Sequence, residues 1–424
     1  MRIDRIKLLN YKRFGAFEVA LDPRFNLFVG DNASGKTAIL DALTVGLDSW
    51  FIGMKGVQGI GGIYQGDVHV VPYSHGDFVS FEKQFPARVV CEGVVLGRQV
   101  SWSRDLASDH GRTTTVGARA LTKISEEADS MVRKGEPVTL PLVCTFGTER
   151  LWYETTQRKR ANKKEPVKQY PSRFDGYRNC TTFEIQETDL LAWIRAEVSA
   201  SQQRRNETTA LGVIKAAIVD CIEDAKDIYY DERYKELIVV MNEMGPQMFS
   251  NLSDGQRVML TLIGDLARRA LTLNPHLGKD ALNLTPGVVS IDELDLHLHP
   301  RWQRRVIHDL KRTFPMIQFI ATTHSPQLVG EALPHEIRIL EGETATTPLR
   351  SFGVDSSRIL EEVMYVSRRN EETKELLSKM AGEIDREELS QAKKTLSKVE
   401  EKLGRGDPEV IGANTLINLL ESTQ

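Results

Sequence analysis

Cysteine is scarce in this chain: Cys91, Cys144, Cys180 and Cys221 are scattered through 424 residues with no C-x-x-C pair. That spacing excludes a disulfide framework or a zinc-ribbon site and points to reduced thiols in a cytosol. Long apolar runs are missing as well. No uninterrupted stretch approaches the roughly 18 residues of a membrane span, and the opening Met1-Arg-Ile-Asp-Arg-Ile6 alternates charge where a signal peptide would be apolar. A cytoplasmic protein without a membrane partner is expected. Positive charge is not in excess either, with 55 Lys and Arg against 59 Asp and Glu and a net charge of -4. This excludes a protein coated in basic charge but leaves a local basic patch open. There is no internal repeat and no sustained heptad run, so extended coiled-coil arms are not expected. What is present, 41% hydrophobic residues, supports one large or two ordinary domains with a sizeable core.

Gly30 to Thr37 reads G-D-N-A-S-G-K-T and fits the phosphate-loop pattern G-x-x-x-x-G-K-[ST]. The apolar run Phe25 to Val29 enters it as a buried strand would, and Ala38 to Leu43 leaves it as an amphipathic helix would. Glycines let backbone N–H groups turn toward phosphate oxygens, and the new helix adds its positive N-terminal end. Gly30, Asn32, Ser34, Gly35, Lys36 and Thr37 are therefore candidate ATP-binding residues, with Lys36 reaching the β/γ-phosphates and Thr37 ligating Mg²⁺.

Upstream, Ile3 to Leu9 and Phe17 to Leu21 alternate around a turn at 10–15 and predict a β-hairpin. Lys12 and Arg13 at its tip either approach nucleotide or nucleic acid or are solvated turn charges. Downstream, 53–62 reads as a glycine-rich loop, 87–102 as a strand-turn-strand, 121–134 as a helix, and Pro141 to Phe146 as a buried strand leading into Gly147 and Thr148. The run 157–164 is basic without hydrophobic period, either a phosphate-contacting lid or a solvated segment. Helical spacing covers 183–198 and 208–228.

Leu252-Ser-Asp-Gly-Gln-Arg257 precedes an amphipathic helix predicted over 258–273, with Ser253 a good N-cap. Gly287 to Glu293 is an apolar strand ending in two carboxylates, which suits two jobs: Asp292 holding Mg²⁺ and Glu293 orienting or deprotonating the attacking water. Pro300 fits the first turn of a helix over 301–312. Asp295, His297 and His299 also have metal-ligand residue types. A strand over 316–322 delivers Thr323-His-Ser-Pro326.

In this order the motifs resemble those of ABC-type ATPases, and specifically the heads of SMC/RecF-type ATPases, over Met1 to about Leu340. Leu252 to Gln256 resembles the L-S-G-G-Q signature, with Asp254 in place of its third residue. Asp292 and Glu293 resemble Walker B, 294–300 the D-loop, and His324 the switch histidine that contacts the γ-phosphate. The resemblance implies an α/β P-loop NTPase of ABC-type head fold, a mixed sheet with a helical subdomain. It also implies catalytic roles for Lys36, Glu293 and His324, and a homodimer or higher homo-oligomer in which Ser253, Gly255 and Gln256 of one chain cap ATP bound by the other. No Q-loop glutamine is placed; Gly147 and Thr148 stand where one is expected.

Three segments, 146–152, 292–302 and 353–360, are similar to overcoming-lysogeny-like ATPases of the PtuA type, from Septu and retron-associated anti-phage systems. That resemblance implies DNA-directed defence with a separate, PtuB-like HNH nuclease. Beyond Ser356 the chain is helical in pattern, with a break at 404–408, and its roughly seventy residues are short for an appended nuclease domain. The expected division is a head at 1–354, with an insertion or helical lobe about 150–250, and a helical tail at 355–424 for partner or oligomer contacts. Competing readings are a RecF-type DNA-repair clamp and a transporter nucleotide-binding subunit. The roughly two hundred residues between Lys36 and the signature are too many for the latter.

Overall fold

Alternation and apolar continuity decide the strands of this chain. The computed structural model describes residues 1–57, 59, 61–148, 171–182 and 187–423. Its first strands are β1 (Arg2–Tyr11), β2 (Phe14–Ala20) and β3 (Phe25–Val29), followed by helix α1 (Lys36–Asp48). A small hairpin, β4 (Val70–His75) and β5 (Phe78–Lys83), precedes the long pair β6 (Ala87–Val95) and β7 (Arg98–Leu106). Helix α2 (Arg119–Arg133) and strand β8 (Leu142–Phe146) come next. The predicted hairpin, strand pair, helix and buried strand all occur within two residues of their expected bounds, or three at the start of β2 and four at the end of β7.

A helical region holds α3 (Glu187–Arg204) and α4 (Thr209–Cys221), then three short strands, β9 (Ala225–Asp231), β10 (Glu236–Met241) and β11 (Gly245–Met248). Here the helix expected over 208–228 is corrected. The chain turns at Asp224, with φ +64°, and Ala225 onward pairs antiparallel with β10. The first residues of the helix expected over 183–198 and the whole basic run 157–164 lie outside the described residues.

The remaining elements are α5 (Asp254–Leu273), β12 (Gly287–Ile291), α6 (Pro300–Gln303), α7 (Val306–Thr313), β13 (Ile317–Thr322), α8 (Pro326–Glu331), β14 (Ile337–Glu341) and β15 (Thr344–Thr346). Helix α5 starts four residues earlier than expected, because Ser253 caps it. The single helix expected over 301–312 is two, broken at Arg304–Arg305.

Six strands form the central sheet in the order β15-β14-β3-β13-β12-β8. Five of them, β14, β3, β13, β12 and β8, run parallel, and only β15 runs antiparallel, so the sheet is mixed. Every residue of β3, β8, β12 and β13 is buried, as expected of parallel strands covered on both faces. Fully burying each such Val, Ile or Phe contributes about 1.5–3 kcal/mol. A second, antiparallel sheet has the order β2-β1-β6-β7. Helix α1 touches β12 and β13 on one side and β1, β6 and β7 on the other, and Trp102 donates from its indole nitrogen to the Gly46 carbonyl at 2.9 Å. Buried Gln318 of β13 ties the two sheets. Its amide nitrogen donates to the carbonyls of Ile3 and Asp22 (2.7 and 2.8 Å), and its oxygen accepts from the Ile3 N–H (2.8 Å).

The chain divides into two compact units, Met1–Ile359 and Leu360–Gln424. The second contains α9 (Glu371–Asp385), α10 (Leu389–Leu403) and α11 (Pro408–Thr423) around Met380, Ile384, Ala392, Leu396, Val399, Val410, Ala413 and Ile417. Among the described residues no helix is long and apolar enough to cross a membrane.

Candidate nucleotide site

Parallel strands end at one edge of the central sheet, where the loops after β3, β12 and β13 meet. After β3, Gly35 sits at φ +99°, and a Cβ there would lie 2.4 Å from the Phe14 ring, so only glycine fits. Helix α1 begins at the next residue and leaves its first backbone N–H groups without intrahelical acceptors. Lys36 is buried, with its ammonium donating to the carbonyls of Gly30 (2.7 Å) and Asp31 (2.9 Å). Burial pushes its pKa below the ordinary lysine range, opposed mainly by Asp292. The Ser34 hydroxyl is buried and has no hydrogen-bond partner among the described residues. A buried hydroxyl facing no acceptor or donor, beside a cation and a helix N-terminus, is the donor set an oligophosphate requires. Asn32 is exposed on the same loop.

The two hairpin-tip cations are placed by the structure. The Arg13 guanidinium donates to the Ala33 carbonyl of the phosphate loop, and the Lys12 ammonium pairs with Asp41 on α1 and with Asp67 (3.6 Å). Arg13 braces the loop, and Lys12 the helix that follows it.

At the end of β12, Asp292 is buried and accepts from two hydroxyls: Thr37 at 3.0 Å and Thr322 at 2.5 Å. The same Thr322 oxygen accepts from the Glu293 N–H at 2.7 Å. Glu293 has φ +47°, a left-handed conformation that an L-residue adopts at roughly 1–2 kcal/mol. Thr322 was not among the sequence candidates. Its only signal was a hydroxyl closing an otherwise apolar strand. Next to it Thr323 donates to Asp295 at 2.5 Å, and His324 is exposed. Asp295 is thus held by Thr323. His299 caps α6 by accepting from the Arg301 N–H at 3.3 Å. Asp295, His297 and His299 do not assemble as a metal cluster. Among the described residues the one group close enough is Asp22, His335 and Glu336, where Lys311 already pairs with Glu336.

The signature residues lie in another place. Ser253 and Gln256 form a capping box at the start of α5: the Gln256 side-chain oxygen accepts from the Ser253 N–H and hydroxyl, both at 3.0 Å. Gly255 packs on the D-loop counterpart, where a Cβ would meet the His297 carbonyl at 2.9 Å. Ser253, Gly255 and Gln256 line an open cleft of about 810 Å³ with His297, His299 and Trp302. No phosphate-loop residue lines it. Within one chain the structure therefore joins Lys36, Thr37, Asp292 and Glu293 and leaves Ser253, Gly255 and Gln256 on a separate face.

A strand, a glycine-bounded loop bearing a buried lysine, and an acid-ended strand bonded to that loop's threonine define a P-loop nucleotide-binding protein. The chain belongs to the AAA domain family: a family model with that description matches residues 5–226. A second model, described as "AAA domain, putative AbiEii toxin, Type IV TA system", matches residues 127–330. The chain is related to the Retron Ec83 probable ATPase of Escherichia coli, 26% identical over 88% of this chain and 78% of the relative. It is also related to the Retron Vc95 probable ATPase of Vibrio cholerae, 25% identical over 80% and 73%. The Septu protein PtuA of Bacillus mycoides matches at 35% identity over 30% of this chain and 17% of that protein. Among solved structures, an SMC head bound to the C-winged helix domain of ScpA shares 14% identity over 82% of this chain and 97% of that one, at a TM-score of 0.48.

Proposed function

We propose that this chain binds and hydrolyses ATP with Mg²⁺, that two copies close around the nucleotide, and that the cycle regulates an anti-phage defence complex containing a separate HNH nuclease of the PtuB type and nucleic acid. The observation that carries the hydrolytic part is the 3.0 Å bond from Thr37 to Asp292, which joins the phosphate loop to the acidic strand. In this reading the loop amides, Asn32 and the Ser34 hydroxyl hold phosphate oxygens, and Lys36 exchanges its loop carbonyls for the β/γ-phosphates. Thr37 and Asp292 would hold Mg²⁺, which when bound neutralises charge developing on the phosphates. Glu293 accepts the proton of the attacking water, and His324 faces the γ-phosphate. Ser253, Gly255 and Gln256 cap the phosphate of the opposite chain. The tail, 355–424, contacts a partner or another copy.

Relatedness to retron proteins along most of the chain supports the defence reading over a RecF-type clamp, since a RecF match such as that of Lysinibacillus sphaericus spans 11% of this chain. Glu293→Gln tests the chemistry: hydrolysis falls by about 10²–10⁴-fold while ATP still binds. Normal turnover in that variant would remove Glu293 from its role. For the partner, co-expression with a PtuB-type nuclease followed by mass measurement yields a complex, and two separate species would sink that part.

A further inference from the structure

The β4–β5 hairpin belongs to neither large sheet. Gly76, at φ +64°, and Asp77 form its two-residue turn, with glycine first as in a type II′ turn. His75 and Phe78 close the turn, and from them hydrogen-bonded pairs alternate: Tyr73 with Ser80, Val71 with Glu82. The intervening residues, Val70, Pro72 and Ser74 on β4 and Val79, Phe81 and Lys83 on β5, turn their backbone groups outward. Pro72 has no N–H, so the outer edge of β4 is broken at its centre. The outer edge of β5 carries three intact N–H and C=O pairs, and among the described residues none of them bonds outside the hairpin. On that side of the hairpin the side chains of Val79 and Phe81 share an apolar patch with Val70 and Pro72, bounded by Ser74 and Lys83. Val79 is 43% exposed and Phe81 69%. Natural sheets blunt such an edge with proline, charge or a cover; here proline interrupts the middle of β4, whereas on β5 the only outward charge is Lys83 at the strand's end.

We propose that the outer edge of β5 pairs antiparallel with β5 of a second copy about a twofold axis. The outward residues set the register. Phe81 faces the second copy's equivalent residue on the axis, and Val79 faces the equivalent of Lys83. Between them Ser80 lies opposite the equivalent of Glu82, where a hydroxyl can donate to the carboxylate. Val70, Pro72, Val79 and Phe81 are doubled into one continuous apolar face on a four-stranded sheet. A twofold contact must not set like charges against each other, and this register does not: Glu82 faces a serine, and Lys83, already paired to Asp109 of its own chain at 2.6 Å, faces a valine. A nucleic acid would require a net positive edge, which the hairpin lacks.

The test uses the full chain without nucleotide, in a Lys36→Ala background that removes ATP-driven closure. Sedimentation over a concentration series shows a dimer. Val79→Pro deletes one outward N–H without touching the hairpin's own ladder, and raises the dimer dissociation constant by about tenfold or more at an unchanged unfolding midpoint. Phe81→Cys gives a disulfide-linked dimer on mild oxidation, the native thiols all being buried, whereas Asp77→Cys in the turn does not. A wild-type chain that stays monomeric overturns the proposal. So does a Val79→Pro dimer of undiminished affinity, or a Phe81→Cys chain that never cross-links.

Discussion

Thr37 reaches another loop of the same chain, bonding Asp292 at 3.0 Å, whereas Ser253 bonds Gln256 of its own helical turn. Lys36 is 6% exposed, while Ser253 and Asp254 stand in the open. The phosphate-loop side is thus assembled from the ends of three strands, with Ser34, Lys36 and Asp292 buried in it. The signature side is one exposed helix start whose Ser253 and Gln256 N–H groups are bonded within the capping box. A loop that must polarise phosphates gains from low dielectric and fixed donors. A surface that must dock and release gains from needing no rearrangement of its own.

The sharpest way to break this comparison is to separate the two sides on different chains. Lys36→Ala and Ser253→Arg each reduce ATP hydrolysis by two orders of magnitude or more, but only the first loses ATP binding. Mixed in equal amounts, the two dead variants recover about a quarter of wild-type turnover, because half the twofold dimers hold one intact composite site. No recovery, with mixed dimers confirmed by mass, would place the signature outside the site.

At the far end of α5 the helix is anchored. Asp265 is fully buried between Arg268 (2.6 Å) and Arg269 (2.6 Å), and Arg269 also donates to the carbonyls of Gly176 and Arg178 at 2.9 and 2.8 Å. Asp265→Asn leaves buried cations unpaired and destabilises the protein by about 3–5 kcal/mol, read by denaturant unfolding. Burial alone would raise the Asp265 pKa, but Arg269 and Arg268 override it and hold the carboxyl below the usual carboxylate range. A depressed folded value means the contribution is present above the unfolded pKa of about 3.9 and is lost as pH falls through the folded one. The wild-type protein therefore gives up this contribution only in strong acid, and the variant shows a flatter acid limb.

Much of this arrangement was legible before the structure. Period-two alternation marked β1 and β2, a strand-turn-strand pattern marked β6 and β7, and apolar continuity between turn residues marked β3, β8, β12 and β13, because strands with buried faces leave those signals. Other features depended on tertiary pairing. Ala225 to Ile228 continued the helical spacing of α4, and only the antiparallel partner β10 makes it a strand. The bracing by Lys12 and Arg13 depended on which loop the hairpin tip would meet. Thr322 illustrates the same limit: nothing local says that a strand-ending hydroxyl will face a carboxylate thirty residues away.

Thr322→Val sharpens the catalytic side at smaller scale. It keeps the side-chain shape but leaves one Asp292 oxygen and the Glu293 N–H without that hydroxyl, at a cost of about 1–3 kcal/mol. Turnover falls more than affinity for ATP does, because Asp292 and Glu293 lose orientation while the phosphate loop is untouched. Equal loss in both would mean that Thr322 serves the fold alone.

The smallest effect belongs to the position where this chain departs from the L-S-G-G-Q pattern. Asp254 is exposed, it occupies the first turn of α5, and the capping box beside it uses Ser253 and Gln256 instead. Its carboxylate is therefore placed to interact with the positive end of the helix, a contribution of about 0.3–1 kcal/mol. Asp254→Gly removes that charge and adds backbone freedom, so the thermal midpoint drops slightly while hydrolysis changes by less than about twofold. An open signature face predicts that insensitivity, because the side chain points at solvent in the single chain. A large loss of hydrolysis with ATP binding intact would show instead that Asp254 itself meets the opposite chain, and the signature side would then be a specific contact rather than a cap made by the helix start.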